Sequence, residues 1–125
     1  MKNHLISLFK QCAVFLMLAG SGLAFAQTTY PNKPIKLVVP FPPGGLIDNV
    51  ARLITPALST DLGQAIVVEN KPGAGGNLGA AEVEKASPDG YTLLMAPPPL
   101  SISPAIYKTL PYSPSNIEPI AIFGQ

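Results

Sequence analysis

The spacing of apolar positions changes several times along this chain, and each change marks an element. Ile35 to Val39 is an apolar run interrupted only by Lys36, the pattern of a strand covered on both faces in a parallel sheet. From Leu46 the period becomes helical: Leu46, Ile47, Val50, Leu53, Ile54, Leu58 and Leu62 recur up to Gly63, which suits a C-terminal cap. Pro56 lies inside that run and predicts a kink or a local opening. Ala65 to Val68 reads as a second strand, and Leu78 to Ala86 as an alanine-rich helix with Glu82, Glu84 and Lys85 on its wet side. Pro88-Asp89-Gly90 is a turn, Tyr91 to Met95 a third strand, and Ile117 to Phe123 a candidate fourth. Strand, helix, strand, helix, strand predicts the α/β class, with right-handed crossovers and a parallel sheet carrying helices on both faces.

The ends of this pattern are different in kind. Lys2 and Lys10 precede an apolar run from Cys12 to Ala19, and Ala24-Phe25-Ala26 has the small-x-small form that signal peptidase reads. Residues 1–26 are expected to be a cleaved secretory signal. A membrane anchor is the alternative, but Gly20, Ser21 and Gly22 break the run short of the roughly 20 apolar residues a spanning helix needs. Tyr30-Pro31-Asn32-Lys33-Pro34 is an extended lead-in, because each proline drives the preceding residue out of the helical region. Ala96 to Pro119 is rich in proline and serine; a loop over the strand ends is expected there, with a polyproline recognition segment as the other option.

Removing the signal changes the available chemistry. The only cysteine, Cys12, and the only histidine, His4, both lie inside it. The remaining 99 residues have no disulfide, no Cys or His metal ligand and no histidine-dependent nucleophile, so neither a catalytic nor a metal site is expected, and no cofactor. Six basic side chains stand against seven acidic ones, a formal net charge of −1, and no basic patch points to nucleic acid. Such a length makes one small domain at most.

The candidate chemistry lies in two turns. Phe41-Pro42-Pro43-Gly44-Gly45 follows the first strand and Gly73-Ala74-Gly75-Gly76-Asn77 the second, each just before a helix. In an open α/β sheet ligands bind outside the carboxyl ends of strands, where helix N-termini offer amide donors and partial positive charge to an anion. Two tight connections with no ligand would look the same. Nucleotide binding is weakly supported, since Leu78 stands where the dinucleotide fingerprint wants glycine and no Lys-Ser or Lys-Thr follows. Asp48 either supports the start of its own helix or accepts a hydrogen bond from a ligand ammonium, hydroxyl or water, and Asn77 either caps the second helix or donates to a ligand. Phe41 with its prolines makes a stiff apolar wall; Tyr91, Tyr107 and Tyr112 read as packing residues, and Arg52 and Lys71 as solvated cations.

Tyr30-Pro31-x-Lys33-Pro34-Ile35, the Pro40-Phe41-Pro42-Pro43-Gly44-Gly45-x-x-Asp48 turn, Val68 to Asn77 with Gly79, Ser87-Pro88-Asp89-Gly90-Tyr91-Thr92-Leu93 and Leu110-Pro111-Tyr112 closely resemble the Bug family of solute receptors. These are the extracytoplasmic substrate-binding proteins of tripartite tricarboxylate transporters. The resemblance covers essentially all of the chain after residue 26 and is more specific than either turn alone. It implies a two-lobed, type II periplasmic-binding fold that closes on a small organic carboxylate or acidic amino acid and delivers it to a membrane permease. It also implies that Phe41, Pro43, Gly44, Gly45, Asp48, Gly73, Ala74, Gly75, Gly76 and Asn77 border the ligand cleft.

The chain departs from the family in two ways. Ala96-Pro97-Pro98-Pro99-Leu100-Ser101 stands where members carry small polar residues and a Thr-His pair. Family members are also about three times as long, so residues 27–125 are expected to be the N-terminal part of the first lobe, with the second lobe absent. The expected function is a non-enzymatic periplasmic receptor for a carboxylate, in a truncated form; the rivals are a small α/β enzyme domain for a phosphorylated substrate and a remnant that binds nothing.

Overall fold

The computed structural model describes residues 29–122. The expected signal sequence at 1–26 and Phe123 of the candidate fourth strand lie outside them. Three strands form one parallel sheet: β1 (Ile35–Val39), β2 (Ile66–Asn70) and β3 (Thr92–Leu94), in the order β2-β1-β3. Ile35 to Val39 pair with Ile66 to Asn70, and Lys36 to Val38 with Thr92 to Leu94. The chain moves from β1 to one side and then back across β1 to the other. Right-handed crossovers therefore put the two connecting helices on opposite faces.

The contacts agree. Helix α1 (Leu46–Leu62) covers the face that carries Leu37 and Val39, which pack on Ala51 with Ile47, Val68 and Leu93 around them. Helix α2 (Asn77–Glu84) covers the other face, where Ala80, Ala81, Leu100 and Tyr112 form a second cluster flanked by Leu94, Leu110 and Ile117. Helix α1 ends as expected at Gly63, whose left-handed backbone (φ 65°) closes the last turn with an N–H bond to Thr60 O. It runs through Pro56 without interruption. Its buried face is not the leucine stripe: Leu46 and Leu53 are 77% and 79% exposed, while Ala51 and Thr55 are buried. Small side chains let this helix approach the sheet closely, and the periodic leucines flank that contact.

Two expectations for the last part of the chain are corrected. Within the predicted loop, Pro98–Ile106 is a helix, α3. Pro98 and Pro99 occupy its first two positions, where an N–H has no intrahelical partner to lose and the fixed φ of proline already fits. Ser101 and Ser103 return their hydroxyls to Pro98 O and Pro99 O at 2.7 and 3.0 Å. Residues 117–122 form no strand: Ile117 packs against the Tyr112 cluster, whereas Ile120 and Ile122 are 78% and 84% exposed. The lead-in is tied to the turn before β3 by a bond from the Tyr30 hydroxyl to Gly90 O and a two-way pair between Asn32 and the Tyr91 hydroxyl.

Candidate functional site

Because β1 and β2 are parallel neighbours, the turns that leave them emerge at the same end of the sheet. In the first turn the Gly45 N–H bonds to Pro42 O at 3.4 Å, with Pro43 and Gly44 between them. Gly44 takes φ 78°, the positive value that the third position of a type II turn requires. The second turn begins at Lys71, whose N–H continues the ladder to Val39 O at 2.8 Å, and passes through a short 3-10 segment, Ala74–Gly76, into α2. The two turns touch: Gly76 lies against Pro40, Phe41 and Leu100, and Gly79 lies closer still to Pro40.

Asp48 sits in the first turn of α1 and is 2% exposed. It accepts the Gly44 N–H at 2.8 Å, the Asn70 Nδ2 amide at 2.9 Å and the Arg52 Nε–H at 3.0 and 3.1 Å on its two oxygens. The hydrogen bond from Arg52 is the main cause that holds its carboxyl well below the usual carboxylate range, with the Gly44 amide and Asn70 adding to it. Asp48 raises the Arg52 guanidinium in return. Of the two roles open in the sequence, the described contacts are those of support for the helix start: the bond to Gly44 reaches back across the N-cap Gly45, like the returning half of a capping box. Arg52 is therefore no idle surface cation.

Asn77 does not cap α2. Gly76 occupies the N-cap with φ 96°, and Asn77 is the first helical residue, 2% exposed. Its Oδ1 accepts the Tyr112 hydroxyl at 3.3 Å, leaving Nδ2 with no partner among the described residues. Tyr112 thus reaches the second turn through Asn77. Tyr107 also approaches it, since a Cβ on Gly75 would lie 3.2 Å from its hydroxyl. The sequence carries no local sign of either approach, because both depend on how α3 folds back over the sheet.

The donors that remain are informative. The amides of Gly44, Gly45 and Gly76 are already used, by Asp48, Pro42 O and Gly73 O. Those of Leu46 and Ile47 in the first turn of α1, and of Ala74 and Gly75 in the second glycine turn, have no partner among the described residues. Among the sequence candidates, Phe41 and Gly76 come together, Asn77 is buried beside Tyr112, Pro43, Gly44 and Ala74 are exposed, and Asp48 turns inward. Phe41 O is held by Asn70 Nδ2 at 3.1 Å, so Asn70 joins the first turn to the start of the second.

A second charged group brackets the second turn. Lys36 meets Glu82 at 2.9 Å and Glu69 at 3.5 Å, while Lys71 meets Glu69 at 2.7 Å and Glu82 at 3.4 Å. Hydrogen bonds from these lysines raise the lysine pKa values and lower that of Glu69. Among the described residues no three His, Cys, Asp or Glu side chains cluster as a metal site would need.

Comparison with known proteins gives a consistent result. Residues 50–124 match the model of the tripartite tricarboxylate transporter family receptor. BugT of Bordetella pertussis is 38% identical over 114 residues, which cover 89% of this chain and 35% of that protein. An R. palustris protein solved with adipate superposes with a TM-score of 0.65 at 39% identity, over 69% of this chain and 29% of its own. MatC from Rhodopseudomonas palustris, solved with bound malate, gives 0.51 at 51% identity, over 52% of this chain and 22% of its own. The chain spans about a third of the length of the curated relatives it matches, 36% and 35% for the first two.

Proposed function

The chain belongs to the tripartite tricarboxylate transporter family of receptors, and from that premise we propose that its two glycine turns form one wall of a cleft that captures a small organic carboxylate in the periplasm. One observation carries this reading: two helix starts, with amides that have no partner among the described residues, meet at the carboxyl ends of adjacent parallel strands, while Asp48 in the first turn of α1 is buried and neutralised by Arg52. Carboxylate oxygens would accept from Leu46, Ile47, Ala74 and Gly75, with Asn77 Nδ2 as a side-chain donor. Phe41, Pro43, Gly44, Gly45, Gly73 and Gly76 would shape the wall. Relatives solved with adipate and with malate support the ligand class. In this reading the receptor is non-enzymatic, is exported with cleavage after Ala26, and passes its ligand to the membrane permease of the transporter.

The test is an NMR titration of the full chain with malate, adipate and succinate, and with a nucleotide as comparison. Shifts saturating in the millimolar range or tighter at the amides of Leu46, Ile47, Ala74 and Gly75 are expected for a dicarboxylate. No movement at those amides, or a stronger response to the nucleotide, overturns the reading. A periplasmic product beginning at Gln27, weighed by mass spectrometry, is the expected outcome for export; retained Met1 on a soluble cytoplasmic product would refute it.

A further inference from the structure

Resting on the reading of both turns as one ligand wall, we infer that Asp48, Asn70 and Arg52 form a clasp that sets the spacing of the turns, and that Asp48 is a positioning residue which does not read a ligand's ammonium. A carboxylate offers about four acceptor positions. Those of Asp48 receive the Gly44 amide, the Asn70 amide and the Arg52 Nε–H, the last shared between both oxygens. The residue is 2% exposed. A ligand ammonium would have to displace one of these donors and settle beside the Arg52 guanidinium, which repels it.

Each member of the clasp reaches across an element boundary. Asn70 is the last residue of β2, where the chain enters the second turn, yet its Nδ2 donates both to Phe41 O at 3.1 Å and to Asp48 at 2.9 Å, in or beside the first turn. Its Oδ1 accepts Arg52 Nη2 at 3.2 Å. Arg52, one helical turn after Asp48, therefore holds both side chains at once. The guanidinium fork suits this task because its nitrogens are rigidly spaced, a property that an ammonium lacks. Removing any one member leaves polar groups of the other two without partners, and the turns lose their shared anchor.

The test uses the full chain with D48N, N70A and R52K, followed by amide NMR and by titration with succinate, malate and aspartate as probes. D48N keeps an acceptor near Gly44 without the charge. N70A removes the bridge and keeps the carboxylate. R52K keeps the charge at a side chain that is 53% exposed, so it retains the fold while losing the fork. The clasp predicts that N70A shifts amides of Gly44 and Gly45, that D48N and R52K shift amides from Gly73 to Gly76, and that each variant weakens all three probes by the same factor within threefold. Shifts confined to the mutated turn overturn the clasp even if no probe binds, in which case the carboxylate-wall reading fails separately. A loss of aspartate binding in D48N at least tenfold beyond the loss of succinate binding, absent in N70A, would show that Asp48 reads the ammonium directly.

Discussion

Gly79→Ala tests how closely α2 lies on the first strand's exit. A Cβ built at Gly79 would stand 2.8 Å from Pro40 Cβ, 3.1 Å from Pro40 Cα and 3.2 Å from Lys71 O. Optimal separation between carbon atoms is about 3.5–4.0 Å, so the methyl is short by roughly half an ångström or more against each Pro40 atom. Proline ring and backbone atoms cannot rotate away; relief requires α2 to move off Pro40. Overpacking of this kind costs about 1–3 kcal/mol, whereas Gly→Ala inside a helix gains about 0.5–1 kcal/mol from backbone entropy and propensity. The net expectation is a loss of about 1–2 kcal/mol in urea unfolding, accompanied by amide shifts at Phe41 and Gly76. Propensity alone predicts the opposite sign. A variant that is more stable than the parent, with Phe41 unmoved, would refute the close packing of the two turns.

Tyr112→Phe removes the hydroxyl that holds Asn77 Oδ1 and should cost about 1 kcal/mol in urea unfolding, with movement of the Asn77 side-chain amide resonances; unchanged resonances would show that the 3.3 Å bond is not made in solution. Lys71→Met should lower the urea midpoint at low salt and lose most of that effect in 0.5 M NaCl, because the ion pairs of Lys71 with Glu69 and Glu82 are about one-third exposed or more and are screened; an effect independent of salt would assign it to packing. Asp48 has a depressed folded pKa, so its contribution is complete above the ordinary value near 3.9 and is lost as pH falls through the lower folded value. The parent and D48N should therefore show parallel stability between pH 8 and 5 and converge only below about pH 4, as measured by urea midpoints; convergence between pH 6 and 5 would contradict the clasp.

The strands and both glycine turns are legible in the sequence because each joins strong local signals: an apolar run followed by residues that only a turn accommodates. The third helix is hidden for the opposite reason. Pro97-Pro98-Pro99 argues against helix at most positions, but Pro98 and Pro99 stand in the first helical turn, where the missing N–H is no loss. The helical spacing of the leucines does not by itself mark the face of α1 that meets the sheet, because close approach favours the smaller Ala51 and Thr55. Asn77 shows the limit of local reasoning at a site. Its type suits a cap, but the capping position itself is filled one residue earlier by Gly76, and its actual partner, Tyr112, lies 35 residues away.

The charge arrangement follows from strand order. Two helix starts at one sheet end present a partial positive field, and an exposed aspartate there would oppose an incoming carboxylate by about 1 kcal/mol at 4 Å in water and about 4 kcal/mol in the less polar surroundings of a protein surface. Burying Asp48 without a partner would be unfavourable as well. Arg52 resolves both difficulties, since at 3.0 Å it cancels the carboxylate while its own exposed side keeps it hydrated. Asn70 can join them only because β2 is the immediate neighbour of β1, with Val39 opposite Asn70 in the register. A one-residue slip would turn Asn70 to the other face and leave Phe41 O and Asp48 without the amide that links them. The register of the sheet, more than any single side chain, is what lets Asn70 join Asp48, Arg52 and the Phe41 carbonyl beside the two helix starts.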